Sequence, residues 1–313
     1  MAKMNRKYTY GPVPSRRLGF SLGIDIIPYK NCSFNCIYCQ LGTTTNLTVE
    51  RKEYHPPEAI LREVEALLEH ADHIDYLTFS GSGEPTLHSR ISYMINELKK
   101  KTTIPIAVLT NGSLLYMPQV QTGILNADVV LPTLCTIHQT VFEKIHRSHP
   151  DISVNIIIDG LVEFRKLYKG KIWLEIMLIK GVNDSVQEIE GLTKVIDKIS
   201  PDRIQLNTAV RPPSEKWVTP LSHDELTSIR KMINHNCEII AHFKPKQTTA
   251  YHADIEKMIN DTVKRRPVTA DDIGQITGVH SIELLKYLEK LLQEKKIAAH
   301  EYKGVTYYEK YGN

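Results

Sequence analysis

Between about Leu18 and Ala209 the apolar residues fall by turns into short runs rich in β-branched and aromatic side chains and into longer stretches with helical spacing. The short runs at 21–27, 76–80, 106–110, 129–132, 173–179 and 204–208 predict strands. The stretches at 56–70, 91–100, 141–145, 161–168 and 185–199 predict helices. In the first of these Ile60, Val64, Leu67 and Leu68 share a face, and Pro56 and Pro57 suit a first turn, where a missing N–H costs nothing. Strands alternating with helices are βα units and predict a parallel sheet. Six strands predict an α/β fold built as a partial (β/α)6 TIM-like barrel, although a doubly wound sheet satisfies the same pattern.

The last third changes character. A helix is expected at 222–234, then an apolar run at 238–241, then a compact block. That block reads as helices at 255–265, 269–277 and 281–294 and a hairpin turning at Lys303 and Gly304, with Thr269 and Ser281 as N-caps and Gly278 ending the middle helix. Three helices and a hairpin give the winged helix-turn-helix order, so the expected domains are a core at 1–250 and a winged helix at 251–313. Ile282, Leu284, Leu285, Leu288, Leu291 and Leu292 are its expected core. Ten Lys and Arg stand against nine Asp and Glu over 255–313, which favours a protein, peptide or self-association contact slightly over RNA or DNA.

The whole chain has 313 residues and a formal net charge of +3, an excess too small to indicate a polyanionic partner. Its apolar runs fall far short of the roughly 18 residues of a membrane span, and residues 1–10 lack a signal-peptide core, so a cytoplasmic address without membrane contact is expected. Five cysteines are too few for a disulfide framework, and three of them crowd together at Cys32, Cys36 and Cys39. Three thiolates in a C-x3-C-x2-C array on one loop can hold three irons of a cubane cluster. A structural zinc site with a fourth ligand such as His55, or buried free thiols, are the alternatives.

Ser80-Gly81-Ser82-Gly83-Glu84 follows the second expected strand, and Thr110-Asn111-Gly112 ends the third. Small residues let backbone carbonyls approach an ammonium group, and a carboxylate adds a charge-assisted acceptor. Taken alone, the first segment reads better as a plain turn, and a turn is the alternative for the second as well.

Taken together, C-x3-C-x-aromatic-C with Tyr38 as the aromatic, the Gly83-Glu84 segment and Thr110-Asn111 resemble the radical S-adenosylmethionine superfamily. Ser82 replaces the first glycine of that family's Gly-Gly-Glu motif. The opening at Gly11 to Gly19 resembles a subgroup related to the wyosine-base synthases of transfer RNA, except that Leu134 is followed by Cys135 where the subgroup reads Leu-Asp. The resemblance covers about residues 11–215. It implies a 4Fe-4S cluster on Cys32, Cys36 and Cys39, with S-adenosyl-L-methionine held near Tyr38, Ser82, Gly83, Glu84, Thr110 and Asn111. It further implies an electron donor such as flavodoxin or ferredoxin, and a 5'-deoxyadenosyl radical that modifies a small molecule, nucleoside or tRNA. Maturation of a partner protein is the alternative activity, and a zinc-bound winged-helix regulator is the non-enzymatic one.

Strand alternation puts Trp173, Glu175, Met177 and Ile179 on one face, so Glu175 is expected beside cofactor or substrate, or else exposed or in a salt bridge, along with Asn207 at the end of the sixth strand. Arg211 is a candidate for an anionic substrate group. Cys135 and Cys237 are too far apart to build a second cluster; Cys135, after the fourth strand, is expected as a buried thiol with a substrate-facing one as the alternative, and the spacing of His138, His146 and His149 makes no metal set.

Overall fold

The computed structural model describes residues 6–69, 73–210, 213–233, 235–241, 253–263, 267–277, 279–302 and 304–312. Strands β1 (Thr9–Ser15) and β2 (Gly19–Ile24) form an antiparallel hairpin, and β3 (Asn31–Cys32) and β4 (Asn46–Leu47) pair parallel to each other beyond it. Strands β5 (Tyr76–Phe79), β6 (Ile106–Thr110), β7 (Val129–Pro132), β8 (Lys171–Leu178), β9 (Arg203–Thr208) and β10 (Cys237–Ile239) then add in chain order. The result is an eight-stranded sheet ordered β1-β2-β5-β6-β7-β8-β9-β10, parallel throughout except for β1. A doubly wound sheet reverses its strand order at a switch point, and this order does not reverse.

Both faces of the sheet are covered, as a parallel sheet requires. Leu77, Phe79, Val108, Val130, Leu174 and Leu206 point outward into the main core beneath the helices. Ala107, Leu109, Val129, Leu131 and Trp173 alternate with them and form an inner apolar layer with Leu18. The guanidinium of Arg203 covers the Trp173 ring at 4.5 Å.

The connecting helices are α1 (Pro57–Leu68), α2 (Ile91–Lys101), α3 (Pro118–Gly123), α4 (Gln139–His146), α5 (Val154–Leu167), α6 (Val186–Ile199) and α7 (His223–Met232). Ser153, Ser185 and Ser222 cap α5, α6 and α7 through their hydroxyls, and Glu225 completes a capping box at α7. The terminal segment holds α8 (Ala253–Val263), β11 (Val268–Thr269), α9 (Ala270–Thr277), α10 (Ser281–Gln293), β12 (Ile297–Tyr302) and β13 (Val305–Lys310). Its strands make an antiparallel sheet ordered β11-β13-β12, and Leu284, Leu288 and Leu291 pack with Ile259 and Tyr287 in its own core. No helix among the described residues is long and apolar enough to cross a membrane.

Five of the expectations need correction. The hairpin strand β1 went unread because Gly11, Pro12 and Pro14 break its pattern, which an edge strand with a register shift tolerates. Helix α3 is only six residues long, too short for periodicity to register. Helix α5 begins at Val154 and not at 161, since packing overrides the low helix propensity of Ile156, Ile157 and Ile158. The N-cap of α10 is the ring of His280, which accepts from the Ile282 N–H, so Ser281 is already helical. Ile282 also leaves the expected terminal core and packs on Tyr10 and Leu41. Arg211, Gly278 and Lys303 lie outside the described residues.

Candidate active site

The cysteine loop follows β2, the second strand of the hairpin, and is held from several sides. Asn35 N–H and Ile37 N–H donate to the carbonyls of His146 and Ile145 at the end of α4, at 2.8 and 2.9 Å. The Ser214 hydroxyl donates to the Cys36 and Ile37 carbonyls, each at 2.9 Å. The loop is thus built, and its three cysteine residues are neither fully buried nor exposed. Lys30 Nζ stands 3.2 Å from Cys39 Sγ, Asn111 Nδ2 3.6 Å from Cys32 Sγ, and His146 Nδ1 3.2 Å from Cys36 Sγ. Burial pushes Cys32 up to about 12, with Glu84 adding to the rise, and pushes Cys36 well up. Burial also holds His146 down at about 3, so its imidazole is neutral.

The Ser80–Glu84 segment after β5 is stapled to this loop. Lys30 N–H donates to the Ser82 carbonyl at 2.8 Å, and Glu84 N–H to the Asn31 carbonyl at 3.2 Å. A Cβ on Gly83 would come within 1.9 Å of the Asn31 carbonyl oxygen, so only glycine fits there. Ser82 is turned away from the cavity, its N–H and hydroxyl both given to Asp25 at 3.0 and 2.5 Å.

Glu84 is 2% exposed and ties two strand ends together. Its Oε1 accepts from Thr86 N–H at 3.0 Å, the Thr86 hydroxyl at 2.5 Å and the Thr110 hydroxyl at 2.6 Å. Its Oε2 accepts from Asn111 N–H at 2.7 Å and keeps a lone pair for a further donor. Burial raises the Glu84 carboxyl above its ordinary value, against the four hydrogen bonds that pull it down.

A cavity of about 350 Å³ runs over the inner face of the sheet to these strand ends, within the size range of small-molecule sites. Cys32, Tyr38, Gly83, Glu84, Asn111 and Glu175 line it. Thr110 lines it too. Ser82 and Asn207 stand behind the wall. Asn207 Nδ2 donates to Glu175 Oε1 at 2.8 Å, and the Thr133 hydroxyl donates to Oε2 at 3.0 Å. The same carboxylate pairs with Arg17, while Arg16 donates to Asn207 Oδ1 at 3.3 Å. Tyr38 faces Cys36 and Cys135, and burial raises its hydroxyl well above its ordinary value. Cys135 is 1% exposed, pushed up to about 12 by burial, and so does not present a thiol to the cavity.

Among the described residues no group of three or more His, Cys, Asp and Glu is arranged around a single ion. The His55 ring packs on Tyr8 at 5.2 Å. Three thiols on one braced loop, with donors beside them and an acid bridging the neighbouring strand ends, fit an iron-sulfur cluster and a ligand bearing an amine.

The family model of the Radical SAM superfamily matches residues 26–192. The chain belongs to that superfamily and is an enzyme whose family binds a 4Fe-4S cluster and S-adenosylmethionine. A UPF0026 protein of Methanocaldococcus jannaschii is 36% identical over 316 residues, covering 96% of this chain and 95% of that protein. A Brachyspira hyodysenteriae protein named GTPase Obg is 37% identical over 310 residues, which are 98% of this chain but 46% of that longer protein. A solved radical SAM methyltransferase from Sphaerobacter thermophilus shares the fold at a TM-score of 0.58 and 14% identity, over 70% of this chain and 65% of that one.

The sequence reading missed Arg16, Arg17, Asp25, His280 and Lys286, and weighed His146 only as a metal ligand. The paired arginines stood inside the quoted opening segment and were a usable signal. The others lie in unremarkable local sequence and reach the site only through the fold.

Proposed function

We propose that this chain is a radical S-adenosylmethionine enzyme that generates a 5'-deoxyadenosyl radical to modify a small molecule, nucleoside or tRNA. The carrying observation is the staple between the cysteine loop and the Gly83-Glu84 segment, with Glu84 bridging onward to Thr110 and Asn111. When bound, a reduced four-iron cluster and the cofactor supply reductive cleavage to methionine and that radical. Cys32, Cys36 and Cys39 would ligate the cluster, and Lys30 and Asn111 beside their sulfurs would stabilise its negative charge. Glu84 Oε2, aimed with Gly83 at the cavity, would take the cofactor's ammonium group, with Thr110 and Asn111 fixing its position. Tyr38 would exclude water between loop and cavity, and Glu175, oriented by Asn207, Thr133 and Arg17, would face cofactor or substrate.

The sheet is then an incomplete β/α barrel, with residues 1–250 as core and 251–313 as a winged helix. A small molecule, nucleoside or tRNA is the substrate class of this reading, and maturation of a partner protein is the second reading. A flavodoxin or ferredoxin in the cytoplasm would supply the electron.

The test is anaerobic reconstitution, iron and sulfide analysis, and a 5'-deoxyadenosine assay after dithionite reduction. About four irons per chain and nucleoside formation that disappears in Cys36→Ala are expected. Stoichiometric zinc without cofactor cleavage would overturn the reading.

A further inference from the structure

The terminal helix α10 supplies part of the cavity wall. Ile282 and Lys286, one turn apart on one face, line it together with Arg16, Arg17 and Glu84. This face is docked by contacts of different kinds. Glu283, 6% exposed, accepts the Gly11 N–H at 2.9 Å through Oε2. The His280 ring stacks on Tyr10 at 5.3 Å and its Nε2 lies 3.2 Å from Asp25 Oδ2. Tyr10 in turn shares a hydrogen bond with Ser80 Oγ at 2.6 Å, and Lys286 Nζ stands 5.9 Å from the Tyr10 ring centre. The helix that would read a nucleic-acid groove in a winged helix is therefore turned toward the cysteine loop's cavity, and cannot lie in a groove while it stays there.

Arg17 pairs with Glu175, and Glu84 is committed to four donors. Arg16, which donates to Asn207 Oδ1 at 3.3 Å, and Lys286, beside the Tyr10 ring, bring two further cations to the same cavity, from the β1–β2 turn and from α10, some 270 residues apart in sequence. Guanidinium and ammonium side chains lining one small cavity supply the chemistry of carboxylate and phosphate recognition.

We propose that α10 completes the substrate site, and that Lys286 with Arg16 binds an anionic group of the substrate. The inference rests on the enzyme reading above and deepens it, naming an acidic substrate and giving the terminal segment a place inside the site. Glu283 is a positioning residue that fixes α10 against Gly11.

The test uses anaerobically reconstituted full-length protein, titrated calorimetrically with inorganic phosphate and, separately, with acetate at constant ionic strength. Lys286→Gln is expected to weaken binding of the preferred anion about tenfold, and Lys286→Arg to restore it to within about threefold. Preference for phosphate identifies a phosphorylated substrate and preference for acetate a carboxylated one. Glu283→Gln separates positioning from simple charge, because deleting a negative charge raises anion affinity by electrostatics alone, whereas a released α10 lowers it. No binding of either anion to the wild type, equal affinity in Lys286→Gln, or a rise in Glu283→Gln overturns the proposal. The wild-type preparation is also assayed for 5'-deoxyadenosine. Failure there removes the radical reading itself, while cleavage with flat titrations removes only the present inference.

Discussion

The Glu84→Gln substitution keeps the size of the side chain and changes only its charge and hydrogen-bonding sense. Oε1 receives three donors, so the amide oxygen must stay there and the amide NH2 falls at the Oε2 position. That nitrogen then faces the Asn111 N–H, which the native carboxylate accepts at 2.7 Å. A charge-assisted bond of about 1.5–3 kcal/mol is lost, and a buried backbone donor is left without an acceptor. Relief of the carboxylate's own burial, which raises its pKa, offsets part of the loss. The expected net destabilisation is about 2–3 kcal/mol. Thr110→Val removes one donor while leaving the carboxylate three others, and should cost about 1–2 kcal/mol. Urea unfolding followed by Trp173 fluorescence reads both, since Trp173 is buried in the inner layer and Trp217 is largely exposed. The two changes share a network, so the double variant should fall short of additivity. A Glu84→Gln protein as stable as wild type within about 0.5 kcal/mol would refute the claim that this carboxylate holds the strand ends together.

Two further predictions test other parts of the wall. Arg17→Leu strands the Glu175 carboxylate, whose side chain is 11% exposed, and should destabilise by about 3 kcal/mol, whereas Arg17→Leu with Glu175→Gln should recover at least half of that; equal losses in thermal unfolding would count against the pair. Burial raises the Cys237 thiol to about 12, so it keeps its proton at pH 8 and its thiolate fraction climbs about tenfold per pH unit up to there; peptide-resolved mass spectrometry should find its iodoacetamide reaction about three orders of magnitude slower than a free thiol's, and an ordinary rate would contradict that burial.

The strands from β5 to β9 and most helices were readable because alternation and helical spacing are local, and packing agreed with them at positions such as Phe79, Leu174 and Ile189. The cysteine, Gly83-Glu84 and Thr110-Asn111 segments were readable for the same reason, each being a run of neighbours. Their partners were not. Glu283 meets Gly11 across 272 residues, Arg17 meets Glu175 across 158 and Cys36 meets His146 across 110, and no local pattern encodes such a pairing. Ser82 was expected near the cofactor from its motif position, and Asp25, also distant in sequence, takes its hydroxyl.

The two ends of the sheet divide the work of stability and chemistry through one repeated device, a carboxylate that accepts a neighbouring strand's N–H. At the N-terminal end Asp75, Asp128 and Asp202 each stand just before a strand, β5, β7 or β9. Each gives its own N–H to the carbonyl of Phe20, Ile106 or Ile172 and takes that residue's N–H on its side chain, at 2.7, 2.7 and 2.8 Å. These reciprocal clamps set the register of the β2/β5, β6/β7 and β8/β9 pairs at an end where the sheet carries no cysteine loop. At the opposite end Asp25 and Glu84 use the same acceptor chemistry on loops, holding Ser82 in one case and Thr86, Thr110 and Asn111 in the other. Loops at strand ends would otherwise be the most mobile part of a parallel sheet. Fixing them by buried carboxylates costs desolvation of each charge but leaves the cysteines, Gly83 and the open lone pair of Glu84 positioned before any ligand arrives, which is what a site that must orient a cofactor requires.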